Sequence, residues 1–508
     1  MTRLVAETII PADEVEAATA PRRGMVAERE DAPGRFSLIE GPVRSYERTV
    51  DIEIVGDGSA RLRQVVEYQS ALRYWGWLFH LPLRHHLGRV GHPHRSPWWT
   101  PPDRLDTRAA EVLDQMAAIT FIGGFLATLM TQTATFAADE FGASDAAQGW
   151  ALAATRSAAL LTLPIVAIAD RRGRRTVIVI GLFAGPVLAA TGALSPSIWW
   201  LAASQTLTRS VSIAMGIAAT VMLAEEMPAG SRAYGVSLVS MAAALGVGQA
   251  LFALPLSDVN EQGWRMVYVV SLLALPLAWS LRRHLTESKR FARTHINAPV
   301  AGHGRRLWLL AASGFLVGLF GAPASQFQNE FLRDDLGFTG GGITLFLIAT
   351  NTPGAIGIVV GGRLAERGRR PVGAFGLAAG TIATVAMFAS QGWPVWMWSV
   401  AGAVLGAVTI PALGVYGPEL FPTSLRGKVN GIITVVSLVG SVIGLVAVGS
   451  LSDGGTPFGD AFALMAIGPL VLAVIVLLIY PETAHRTLED LNPEDAPEAL
   501  GLSAVDRR

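Results

Sequence analysis

Between residues 114 and 480 the chain is a succession of apolar runs, each about 20 residues long. Such runs can cross a hydrocarbon layer of about 30 Å as helices, which satisfy their own backbone polar groups. They fall near 114–137, 147–169, 176–195, 198–224, 233–257, 264–283, 307–330, 341–363, 371–390, 394–418, 428–452 and 458–480. Only 16% of residues are charged and mean hydropathy is +0.42, against about 25% charged for a soluble domain. The expectation is an all-α membrane protein with twelve transmembrane helices. The first 110 residues are too polar to span.

Charge sets an expected orientation. The loops after segments 2, 4, 6, 8 and 10 hold 18 Arg or Lys, and the opposite loops hold only Arg265 and Arg333. The positive-inside rule then makes the basic side, and both termini, cytoplasmic. The opposite face carries acids and the aromatic residues Trp150, Trp199, Trp200, Trp264 and Trp393 as anchors. Residues 1–35 are charged and lack the apolar core of a secretory signal. Zero net charge offers no bulk attraction to nucleic acid, and the lack of cysteine excludes disulfides, thiolate metal sites and cysteine nucleophiles.

Three phrases occur twice. Asp170-Arg171-Arg172-Gly173-Arg174-Arg175 returns as Glu366-Arg367-Gly368-Arg369-Arg370, and Glu225-Glu226-Met227-Pro228 with Arg232 returns as Glu419-Leu420-Phe421-Pro422 with Arg426. Thr286-Glu287-Ser288 returns as Pro481-Glu482-Thr483, and the acidic residues give offsets of 196, 194 and 195. The common register implies a tandem duplication of six segments: a bundle over 111–283, a linker over 284–306, a second bundle over 307–483 and a tail over 484–508. Gly173 and Gly368 suit tight turns between antiparallel helices. Glu225 with Arg232, and Glu419 with Arg426, are expected to pair within each repeat.

These phrases resemble the major facilitator superfamily over about residues 114–491, in its sugar-porter and metabolite–proton symporter branch. The resemblance implies two six-helix bundles that alternate access to a central site. It implies a cytoplasmic latch from Asp170, Gly173, Arg174, Glu225, Arg232, Glu366, Gly368, Arg369, Glu419 and Arg426. Arg174, Arg175, Arg369 and Arg370 also read simply as topology markers at headgroup level. Val166 stands where the family pattern has glycine, which predicts a looser helix contact there. The second copy is one residue shorter.

Polar residues inside apolar runs mark candidate substrate contacts. Thr131-Gln132-Thr133 in segment 1 and Gln326-Phe327-Gln328 in segment 7 sit at matching places, with Gln249 and Asn329 as additions. The resemblance implies that these two segments line the cavity; hydrogen bonds between helices are the other reading. Arg156 lies about 9 Å below Trp150 and Arg209 about 24 Å above Glu225, at 1.5 Å per helical residue. Asn351 is the counterpart of Arg156, in a stretch expected to kink at Pro353. A guanidinium there suits a carboxylate or phosphate, although Arg156 is shallow enough to snorkel. The resemblance implies proton symport, yet the residues offer only Asp114 and Glu330 as coupling candidates.

The extension, residues 1–110, reads as a disordered start, a hairpin over Val50–Val55 and Arg61–Tyr68 turning at Gly56-Asp57-Gly58, then a Trp/His-rich membrane-surface segment. His85, His86, His92 and His94 have no metal-site spacing, and no cofactor is expected. The expected function is secondary active transport of a small polar metabolite, a sugar or organic anion, across the cell membrane by proton-coupled uptake. The alternatives are an efflux antiporter of the same fold and a transporter-like sensor acting through the extension. The expected partners are a small-molecule substrate, the lipid bilayer and protons. No constellation suggests an enzyme.

Overall fold

The computed structural model describes residues 1–56, 58–90, 96–97, 99–143, 145–292, 300–338 and 340–495. Asp57, His92, His94, Trp98 and parts of the linker and tail lie outside the described residues. The chain forms two compact units, Met1–Ala118 with Glu226–Ser231, and Ile119–Glu225 with Arg232–Arg508.

The first unit is built on an antiparallel sheet. Its described strands are β1 (Thr2–Pro11), β2 (Ala27–Ala32), β3 (Arg35–Glu40), β4 (Val43–Gly56) and β5 (Ser59–Ser70), in the order β1-β5-β4-β3-β2. The expected hairpin is β4–β5, with Asp51 opposite Arg63 and Gly58 at φ +72°. The start of the chain is not disordered as expected. β1 pairs along β5 from Thr2 opposite Tyr68 to Pro11 opposite Ser59. Few of its side chains are buried, so backbone pairing to an open sheet edge orders it, and composition does not report that.

A buried polar network closes this unit. Glu28 accepts from Arg48 Nη2 at 2.7 Å and from Arg22 N at 2.8 Å. Arg22 in turn donates to Gln64 Oε1 at 3.1 Å and to the carbonyl of Leu87 at 3.1 Å, tying the Gly76–Gly88 helix to the sheet. The loop Glu226–Ser231 belongs here too. Arg108 Nε reaches Glu226 Oε2 at 2.8 Å, and Asp103 Oδ2 accepts from Gly230 N at 2.9 Å.

Among the described residues, twelve helical segments are long and apolar enough to cross a bilayer. Numbered as spans 1 to 12, they are Thr107–Phe141, Trp150–Arg172, Arg174–Leu194, Ile198–Glu226, Ala229–Ser257, Trp264–His284, Gly304–Arg333, Leu345–Ala365, Arg369–Phe388, Trp393–Glu419, Arg426–Ser452 and Phe458–Leu478. The duplication is visible in the packing. A methyl on Gly124 of span 1 would sit 2.1 Å from the Ala243 carbonyl of span 5, and one on Gly318 of span 7 would sit 2.3 Å from the Ser437 carbonyl of span 11. Both crossings need helix backbones in contact, which only small residues permit.

The two halves also meet at spans 2 and 11 and at spans 5 and 8. Here the expectation about Val166 is corrected. Val166 is fully buried, and a methyl on Gly431 would come within 2.9 Å of its Cγ2. In the mirrored contact the small residue is Gly362, against Ser237 Oγ at 2.6 Å. The contact is as close as its counterpart, with the larger side chain moved to the other partner.

Candidate functional site

Spans 2 and 8 both break at the same repeat position. Span 2 is interrupted at Ser157, directly after Arg156, and span 8 at Thr352-Pro353, directly after Asn351. Span 7 is interrupted at Phe327, within its polar cluster. Arg156 Nη2 donates to Gln326 Oε1 at 3.2 Å, so a polar contact between the halves lies beside two of these breaks. Arg209 is half-buried within span 4 and has no hydrogen bond or ion pair among the described residues. It lies within electrostatic reach of Arg156.

The other predicted residues divide. Gln132 and Gln328 are half-buried, and Gln328 Nε2 reaches Met387 Sδ at 3.5 Å. Gln249, Gln326, Asn329, Glu330 and Asn351 are exposed. Thr133 takes the helix-to-helix alternative, 2.6 Å from the Tyr268 hydroxyl. Asp114, the other proton-coupling candidate, is tied to a turn of the extension. Its buried carboxylate accepts from the backbone N–H groups of Arg73, Tyr74 and Trp75 at 2.8–2.9 Å. Three main-chain donors on one carboxyl group hold this turn in place. Trp264 is not an interfacial anchor either; it is buried and donates to Glu140 Oε2 at 2.6 Å.

The repeated phrases converge at one end of the spans. Asp170, closing span 2, accepts from the backbone N–H of Gly427 at 3.0 Å and of Lys428 at 2.6 Å, the first turn of span 11. Glu366, following span 8, accepts from Ala233 N and from Tyr234 N at 3.2 Å, the first turn of span 5. Each acid therefore sits on the positive end of a helix from the other half. Burial pushes the Glu366 carboxyl above its usual range, against the pull of Arg369.

The ion pairs expected within each repeat are exchanged instead. Glu225 lies 2.8 Å from Arg426 and 3.2 Å from Arg174. Glu419 pairs with Arg369 and lies 3.3 Å from Arg232. All six side chains are buried, so Arg174 and Arg369 are not topology markers; Arg174 also stacks over Phe291, 4.6 Å from its centroid. Gly173 has φ +97°, and a methyl there would meet Glu287 Oε2 at 2.2 Å. Gly368 is corrected: its φ of 173° is extended backbone open to any residue, because the shorter second copy turns differently.

Glu287 and Glu482 are site residues that the sequence reading used only as repeat markers. Glu287 accepts from the N–H groups of Arg174 and Arg175 at 3.2 and 3.1 Å, and Glu482 from those of Arg369 and Arg370 at 3.1 and 3.2 Å. Their shared offset was the available signal. Asp495 was missed too; it lies 3.1 Å from Arg426 and has no repeat partner to announce it.

A family model described as the Major Facilitator Superfamily matches residues 116–328 and again residues 310–505. The chain belongs to the major facilitator superfamily. A Haemophilus influenzae protein named for metabolite transport is 27% identical to this facilitator over 350 residues, 64% of this chain and 84% of its own. A structure of the proton:xylose symporter bound to 6-bromo-6-deoxy-D-glucose aligns with TM-score 0.64 and 16% identity, covering 77% of this chain and 98% of the other. The human organic anion transporter aligns at 0.61 and 14%, over 74% and 100%, and the Escherichia coli fucose:proton symporter at 0.57 and 13%, over 72% and 98%. At these identities the structural likeness speaks for the fold of this facilitator, a multi-pass membrane protein.

Proposed function

We propose that this facilitator is a secondary active transporter of the cell membrane that takes up a small carboxylate-bearing metabolite by alternating access. The observation that carries the cargo reading is Arg209, a half-buried guanidinium inside span 4 with no carboxylate partner among the described residues. An intramembrane cation without a counter-ion is costly, and an anionic substrate group would supply one. Arg156, bridged to Gln326 beside the breaks in spans 2 and 7, offers the second fork. The latch of buried acids and arginines lies on the basic, cytoplasmic side, so this conformation is closed to the cytoplasm. Asp114 and Glu330 are the candidates for proton coupling.

A sugar is the second reading, favoured by the amide groups of Gln132, Gln326, Gln328 and Asn351 and by what the xylose and fucose symporters are named for. Counterflow with purified protein in liposomes, against carboxylates and sugars with and without a pH gradient, separates the two. Arg209→Gln is expected to abolish carboxylate exchange while the protein still melts cooperatively. Carboxylate exchange left intact by Arg209→Gln removes the anion reading. A pH gradient that drives no accumulation removes proton coupling.

A further inference from the structure

The Gly76–Gly88 helix has two apolar faces. One carries Leu83 and Leu87, buried against the sheet, with Phe79 packed alongside. The opposite face carries Trp77, Leu78 and Leu81, with Trp77 and Leu81 exposed at 73% and 72%. Residues 77, 81, 84 and 85 follow at helical spacing, so Arg84 and His85 extend the exposed apolar face with positive charge or polarity. From Tyr68 to Pro102 the sequence has no Asp or Glu, while Arg73, Arg84, Arg89 and Arg95 lie within it.

The position of this helix is fixed by span 1. Asp114 is the last charged residue before the charge-free run that opens at Gln115, and so marks where span 1 leaves the headgroups. Its carboxylate holds the N–H groups of Arg73, Tyr74 and Trp75, the residues that lead directly into the helix. The helix therefore begins at the level of the bilayer interface. An exposed Trp–Leu–Leu face rimmed by arginine at that level suits burial among headgroups and the first acyl carbons.

We propose that the Gly76–Gly88 helix is an interfacial helix that docks its Trp77–Leu78–Leu81 face into the bilayer surface and favours anionic lipid through Arg73 and Arg84. The occupant is lipid: the helix is anchored to a spanning segment, and its flanks carry charge of one sign only.

The test uses the full chain, which has no cysteine. Leu81→Cys carries a nitroxide in nanodiscs of phosphatidylglycerol mixed with phosphatidylcholine, and Arg29→Cys, on the exposed part of β2, carries the control. The oxygen-to-nickel collision ratio at residue 81 is expected to exceed that at residue 29 by about tenfold, as for a site below the headgroups. Arg84→Glu or pure phosphatidylcholine is expected to lower that ratio. A residue 81 label as accessible to nickel as the control overturns the proposal. A label shielded from both oxygen and nickel overturns it in favour of a protein partner. Insertion unaffected by either lipid charge or Arg84→Glu overturns its electrostatic half.

Discussion

Asp170→Asn tests whether the acids at the helix ends hold the two halves together. The carboxylate accepts two backbone N–H groups, at 3.0 and 2.6 Å. Asparagine keeps an oxygen for one of them and turns an amine toward the other. Losing one hydrogen bond to a charged acceptor costs about 1.5–3 kcal/mol, and losing the charge at the start of span 11 costs a further amount of about 0.3–1 kcal/mol. Against this, a neutral amide is cheaper to bury than a carboxylate. The net is about 2 kcal/mol, borne only by the conformation in which this contact is made, so on the proposed alternating-access reading this end of the bundle opens about 30-fold more often. Glu366→Gln removes the same grip on span 5 and is expected to act within a few-fold of Asp170→Asn.

The readout is thiol labelling. Thr220→Cys places the sole thiol in a crevice of about 280 Å³ lined from both halves, by Ile213, Ile217 and Val221 with Pro418 and Asn430. Its modification by an impermeant maleimide, applied to inside-out vesicles, follows the open fraction. Unchanged rates in both variants would refute the latch. A rise in one variant alone would refute its two-fold character.

Three further outcomes follow from the geometry. Gly173→Ala meets both a positive φ and Glu287, and is expected to lower the melting temperature by the equivalent of about 1–3 kcal/mol, whereas Gly368→Ala is tolerated; equal losses would contradict the difference in backbone. Gly431→Val overpacks against Val166 at a cost of about 1–3 kcal/mol, and Val166→Gly in the same chain is expected to restore both transport and melting. Burial, with Arg22, Arg89 and His85 adding to it, pushes His86 down to about 4 from its ordinary 6.5. The unfolded chain takes up that proton first, so the extension is expected to lose stability as pH falls from 6.5 toward 4 and none above it. Thermal melts of the full chain should show the slope, and His86→Gln should flatten it.

Much of the fold was legible because its causes are one-dimensional. Apolar runs, loop charge and a repeat offset near 195 residues fix the number of spans and their relation, and the pattern of the two halves followed. The extension's hairpin was legible from alternation in β5, while β1 was not, because an edge strand held by main-chain pairing leaves little mark on side-chain composition. Where the repeated phrases converge, the acids and arginines were legible and their partners were not. Glu225 and Arg232 are neighbours in sequence, yet the charges pair with Arg426 and Glu419. Choosing between those pairings takes the contact between halves, which is a three-dimensional fact.

Asp170 and Glu366 hold amides of the main chain, at positions 427, 428, 233 and 234. Nineteen of the twenty amino acids present that same group, and proline alone withholds it. The grip itself asks only that proline stay out, but space asks more. A methyl on Gly427 would sit 2.6 Å from Asp170 Oδ1, and Ala233 and Tyr234 are buried. That leaves the exposed Lys428 as the one gripped position with room to change. What holds the halves together there is main chain, so the side chains at those positions answer to packing and carry no sign of the clasp.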